Sequence, residues 1–257
     1  MQRSQSFITI DDSQHISLAQ AFQYLQLAGR LDEVLGDILR QHLLAQELLR
    51  TDLAIAPPIV ENAIADLRQQ HDLLETDRFA AWLISQDLDE PQLRQRLQRD
   101  LQIQRLKEKL TETKGQEHFI DRKLSLDRVV LSRIEVASRD LAEELQQQIA
   151  DGSSFELLAQ DYSLASDRIF NGMMGLLSRA SLSDLLRAAV DVAVPGDVVG
   201  PLETEQGWAL YRVEHLFPAS LEDPEVLQTV QDELLDQWLL DKLQGLNIEV
   251  QVGEEDE

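Results

Sequence analysis

Side chains that commonly carry chemistry are scarce in this chain. It has no cysteine, so no disulfide, thiolate nucleophile or thiolate metal site can form. Its five histidines, His15, His42, His71, His118 and His215, lack ligand spacing; no metal site is expected and no cofactor is implied. Three glycine-bearing blocks stand out instead. They are Gly152-Ser153-Ser154-Phe155-Glu156-Leu157-Leu158-Ala159-Gln160-Asp161-Tyr162-Ser163, Asn171-Gly172-Met173-Met174-Gly175-Leu176-Leu177-Ser178-Arg179 and Val194-Pro195-Gly196-Asp197-Val198-Val199-Gly200-Pro201-Leu202. The glycines permit the tight turns of a small sheet. Phe155, Leu158 and Ala159 fall on one helical face, and Leu182 and Leu186, four apart, on another. Taken singly, these are core and turn patterns.

The elements that must position these blocks follow from the patterning. A chain of 257 residues with 43% apolar and 5% aromatic content is long enough for two modest cores and favours helices packed through aliphatic side chains. Phe7–Ile10 reads as a short strand, followed by turn residues Asp11-Asp12-Ser13. Helical spacing then recurs at Leu18–Leu27, Leu31–Thr51, Ile59–Leu74 (opening after Pro57-Pro58), Phe79–Gln86 and Glu90–Thr113. Around Gly115–Leu126 the pattern changes. Val129–Val136 reads as a strand, Arg139–Ala150 as a helix ended by Gly152, Phe155–Tyr162 and Leu182–Val190 as helices, and Val198–Leu202 and Trp208–Val213 as strands. A last helix starts near Pro224, a short strand is expected at Asn247–Val252, and the acidic residues 253–257 read as a solvated tail.

Charge limits the partners. The formal net charge is −24, and residues beyond 120 hold 10 Lys/Arg against 28 Asp/Glu. Such a surface repels phosphate backbones and anionic headgroups, so no nucleic acid and no direct membrane insertion are expected. The first ten residues lack an apolar stretch of signal-peptide length, and no later segment approaches ~20 continuous apolar residues. A cytoplasmic location is the resulting expectation.

In their order and spacing, the three blocks resemble the parvulin signature G-x-x-F-x-x-L-A-x-x-Y-S, the G-G-D-L-G-aromatic turn and the P-G-D/E-V-x-G-P-V strand. The resemblance covers roughly residues 123–217. The helices around it are similar in arrangement to SurA/PpiC-type chaperones. It implies a mainly α chain with an α+β domain: a SurA-like helical module at 1–122, a parvulin-like domain of the FKBP-like superfold at 123–217, and a helix and strand at 218–252 that pack back on the helical module.

The resemblance also implies a site. Parvulins offer polar contacts from two histidines and a Cys or Asp between them; here those positions are Arg133, Ala165 and Ala209, so the polar set is degenerate. The apolar proline site corresponds to Met174, Leu177, Leu182 and Leu186, all still hydrophobic, with Met173 and Met174 read in the turn. His215 shares strand parity with Ala209 but lies ~20 Å further along, too far to substitute. The function implied is a folding or assembly factor that binds unfolded or precursor polypeptide with weak or absent prolyl isomerase activity. One alternative is an active isomerase drawing on Tyr211, Ser163 or Arg133. The other is a structural adaptor for one protein partner. Leu182→Asp is expected to weaken peptide binding while leaving the fold intact.

Overall fold

The computed structural model describes residues 6–11, 13–51 and 53–250. Asp12 of the expected turn, Gln251 and Val252 of the expected last strand, and residues 253–257 lie outside the described residues. The chain divides into two compact units: residues up to Thr113 with those from Gln231 onward, and Lys114–Val230.

The first unit opens with an antiparallel hairpin, β1 (Ser6–Ile10) and β2 (Gln14–Ser17), of which only the first strand was legible. Ser17 then caps α1 (Leu18–Leu27): its hydroxyl accepts the Gln20 N–H while the Gln20 side chain accepts the Ser17 N–H, satisfying two donors that a bare helix start would leave open. Next come α2 (Leu31–Arg50), α3 (Pro57–Gln70), α4 (Thr76–Ser85) and α5 (Glu90–Leu126). Pro57 and Pro58 occupy the first turn of α3, where a missing N–H costs nothing. Val60, Ile64, Phe79, Leu83 and Leu93 form one core cluster.

The expected change of pattern after Thr113 is not a break, because α5 runs through Gly115 to Leu126. A helical glycine costs only ~1 kcal/mol relative to alanine, and the helix formers around it supply that.

The second unit is a four-stranded antiparallel sheet in the order β4-β3-β6-β5, with helices on both faces. Its elements are β3 (Arg128–Val136), α6 (Arg139–Ala150), α7 (Phe155–Tyr162), β4 (Met173–Ser178), α8 (Asp184–Asp191), β5 (Val198–Thr204) and β6 (Gly207–Phe217). Strand period two sorts the side chains. Ile134, Val136 and Leu210 face α6 and α7, meeting Leu145, Phe155, Leu158 and Ala159. Val129, Leu131, Ala209, Tyr211 and Val213 face α8, meeting Leu186 and Val190. Met173 and Met174 are thus in a strand and not in a turn: β4 pairs with β3 from Ser178 back to Met173, across an irregularity at Met174.

The chain ends in α9 (Pro224–Gln244). Its Leu235 and Leu239 pack with Leu43, Leu44 and Leu106, and Asp232 pairs with Lys107 and Asp236 with Arg40. The last helix therefore completes the helical module, as its apolar spacing requires. Leu246–Val250 is not a strand; alternation alone makes no strand where no edge pairs with it.

Candidate functional site

The sheet face covered by α8 carries the apolar groove. Met174, Leu177, Leu182 and Leu186 line it together with Leu202 and Tyr211, around an open volume of about 450 Å³. Their environments differ. Met174 and Leu177 are half-buried walls, whereas Leu182 and Leu186 are 7% and 5% exposed and belong to the core with Val129, Leu131 and Val190. Leu182 precedes Ser183, the N-cap of α8, so it does not share a helical face with Leu186. A carboxylate at position 182 would enter the core unpaired; the expectation that Leu182→Asp preserves the fold is withdrawn.

Beside the groove is a polar cavity of about 470 Å³, lined by Arg133, Glu135, Ala165, Thr204, Glu205 and Tyr211 among others. Thr204, Glu205 and Tyr211 border both spaces. Arg133 and Glu135, two apart on β3, face the same side as Leu131. Arg133 Nε donates to Asp167 Oδ2 at 2.7 Å, and its Nη1 lies 3.8 Å from a Glu135 oxygen. The other Glu135 oxygen accepts from the Thr204 hydroxyl at 2.6 Å. Ala209 stands directly opposite Glu135 in the β3–β6 register and is fully buried; its small side chain leaves room for the carboxylate.

Tyr211 is 7% exposed, and its hydroxyl has no hydrogen-bond partner among the described residues. Burial pushes the phenol above its ordinary value; Arg133 pulls it back, and Glu135 and Asp167 add to the rise. Ser163 is committed elsewhere: its Oγ accepts the Glu135 N–H at 3.1 Å and the Ala165 N–H at 3.3 Å. It anchors the loop after α7, is buried and lines neither space.

The second glycine block has a geometric cause. Asn171 and Gly172 have φ of 60° and 79°, and a Cβ on Gly172 would lie 2.3 Å from the Arg133 carbonyl oxygen. The Arg133 N–H donates to Gly172 O at 2.8 Å, so this turn holds the backbone that aims Arg133 into the cavity.

The structure therefore brings Arg133 and Ala165 to one cavity, sets Ala209 beneath it and gathers the four apolar residues next door. Its reason for excluding His215 differs from the expected one. The β3–β6 register shifts between Val130↔His215 and Leu131↔Val213, leaving Glu214 as an extra residue that reverses parity; Leu216, not His215, joins the groove-side core. Sequence reasoning missed Glu135, Thr204 and Asp167. Glu135 had a signal, a charge at an inward position of an otherwise apolar strand, while Asp167 sits in a 3-10 turn (Ser166–Phe170) that no periodicity marks.

A small antiparallel sheet flanked by helices, with an apolar groove on one face and a polar cavity at its end, defines a parvulin-type domain. Residues 126–215 match the family model of the rotamase, the PPIC-type PPIase domain. By this match, residues 126–215 form a parvulin-type domain within the chain. It is similar to foldase protein PrsA 2 of Listeria innocua and of Listeria monocytogenes, each 22% identical over 191 residues, which are 74% of this chain. The chain matches 64% of the length of these relatives. Similar solved structures include PrsA from Bacillus cereus (16% identity, 96% of this chain and 94% of that one, TM-score 0.43). Another is a SurA-like chaperone structure from Campylobacter jejuni (16% identity, 96% and 100%, TM-score 0.37).

The expectation of a cytoplasmic location is corrected by these relatives. The PrsA foldases act outside the cytoplasm. Among the described residues no helix is long and apolar enough to cross a membrane, which decides nothing about compartment.

Proposed function

We propose that this chain is a parvulin-like folding factor whose groove holds extended apolar segments of unfolded or precursor polypeptide, with prolyl isomerisation weak or absent. The observation that carries the reading is the pairing of an open apolar groove with a polar cavity whose one guanidinium is already ion-paired. Rotation about a peptide bond faces a barrier of about 18–20 kcal/mol, and lowering it requires preorganised polar groups aimed at the twisted amide. Arg133 is held by Asp167 and Glu135, and Ala165 and Ala209 offer nothing. Holding a chain needs only apolar burial, worth ~1.5–3 kcal/mol per side chain. The boundaries that fit this division of labour are a groove-bearing domain at 123–217 between helical segments 1–122 and 218–252. Exposed apolar side chains on the helical module, among them Leu27 and Leu49, support a second contact surface for clients.

Adding a proline-free apolar peptide to the labelled protein tests this reading by amide-shift titration. Shifts are expected around Met174 and Leu177, while exchange of a proline-containing peptide, followed without a coupling protease, stays near its uncatalysed rate. Silence at those amides removes the groove reading. A second reading, residual isomerase activity, draws on the unpartnered Tyr211 hydroxyl; it predicts measurable exchange that Tyr211→Phe abolishes.

A further inference from the structure

The groove and the cavity beside it differ in character in a way that bears on which segments bind. The groove walls are apolar, whereas the adjoining cavity gathers carboxylates: Glu205 borders both spaces and Glu135 the cavity, with Asp167 behind Arg133. One guanidinium, Arg133, thus stands among three carboxylates. Arg133 balances Asp167 and lies near Glu135. Glu205, exposed at the β5–β6 hairpin, has no hydrogen-bond or ion-pair partner among the described residues. Tyr211, nine-tenths buried as a residue and likewise without a partner for its hydroxyl, borders both spaces. An acceptor oxygen of this kind, surrounded by carboxylates, is complementary to an N–H donor that carries positive charge.

We propose that the groove selects segments in which an apolar side chain is flanked closely by lysine or arginine. The apolar group sits between Met174 and Leu177, and the cation reaches the mouth bordered by Glu205 and Tyr211. This rests on the groove reading above and adds the charge of the client. An extended chain advances ~3.3 Å per residue, so a cation within one or two residues of the anchor spans two spaces that share lining residues. Exposed carboxylates contribute modestly, each pair giving 0–1 kcal/mol, which places the preference at roughly three- to tenfold in affinity.

Because the whole chain is strongly acidic, any cationic peptide gains from long-range attraction, so the test holds net charge constant. Two fluorescent peptides of identical composition are compared by anisotropy on the full chain. One has lysines on both sides of a central leucine; the other has the same lysines at its ends. The flanked peptide is expected to bind roughly three- to tenfold tighter at low salt, with the ratio shrinking toward one in ~0.5 M salt as screening shortens. Glu205→Gln should lower that ratio and Glu205→Lys should abolish it. Equal affinities for the two peptides overturn the charge selection while leaving the groove reading in place. If neither peptide binds, nor a neutral apolar one, the groove reading itself fails and this proposal with it. A ratio that survives Glu205→Lys also overturns the assignment.

Discussion

Replacing Asp127 by asparagine tests how the sheet domain is closed at its neck. Asp127 lies between α5 and β3, is 2% exposed, and its carboxylate ties three segments together. One oxygen accepts from Lys123 and from the Ala219 N–H at 2.8 Å; the other accepts from Arg179 Nη1 at 2.9 Å. The residue thus joins the start of β3 to the chain just beyond β6. Asparagine keeps one acceptor for Ala219 but loses the charge. Breaking a buried ion pair costs about 3–5 kcal/mol. Arg179 and Lys123 retain 25% and 39% side-chain exposure, so water takes back part of their solvation and the expected loss is about 2–3 kcal/mol.

Because the chain has two compact units, a single unfolding midpoint is a poor measure. Hydrogen exchange of β3 and β6 amides reports this unit directly. Burial raises the Asp127 carboxyl, but Lys123, the Ala219 N–H and Arg179 outweigh it, and the net shift is below the ordinary value of 3.8. A depressed carboxyl contributes stability that is fully present above that ordinary value and is lost as pH falls through the folded value. The gap between the native chain and Asp127→Asn should therefore narrow below about pH 4. A loss under ~0.5 kcal/mol at pH 7, or a gap that widens in acid, refutes the reasoning.

Two further substitutions separate fold from site. Gly172→Ala places a Cβ 2.3 Å from the Arg133 carbonyl oxygen at a φ of 79°; a loss of about 3 kcal/mol or more is expected, from left-handed strain plus a backbone clash, and exchange protection of β3 unchanged within ~1 kcal/mol would contradict it. Leu182→Asp should unfold the sheet domain, since the carboxylate enters the core. Met174→Asp, at a half-buried groove wall, should keep the circular dichroism and β3 exchange protection of the native chain while peptide affinity falls about tenfold or more; native-like binding by this variant would take Met174 out of the site.

Much of this architecture is local chemistry and was readable from the chain. The spacing of Leu18 through Leu110 and of Val226 through Leu243 forces amphipathic helices that must bury against one another, and the order of the three glycine blocks identifies the sheet domain. The absence of cysteine is a property of composition and needs no coordinates. What the sequence could not decide depends on pairing between distant segments. Whether Met173-Met174 is turn or strand depends on β3 lying alongside it, because a six-residue apolar run carries no period strong enough to choose. Whether His215 faces the groove depends on one extra residue, Glu214, and a bulge is set by the partner strand's register. Whether Leu182 is wall or floor depends on how α8 seats over β3 and β6. The gathering of Arg133, Glu135, Thr204 and Tyr211 around one cavity, with Asp167 behind Arg133, joins residues up to 78 positions apart. Charges so far apart in the chain attract only after folding has brought them together in a medium less polarisable than water, so their pairing is a consequence of the tertiary structure.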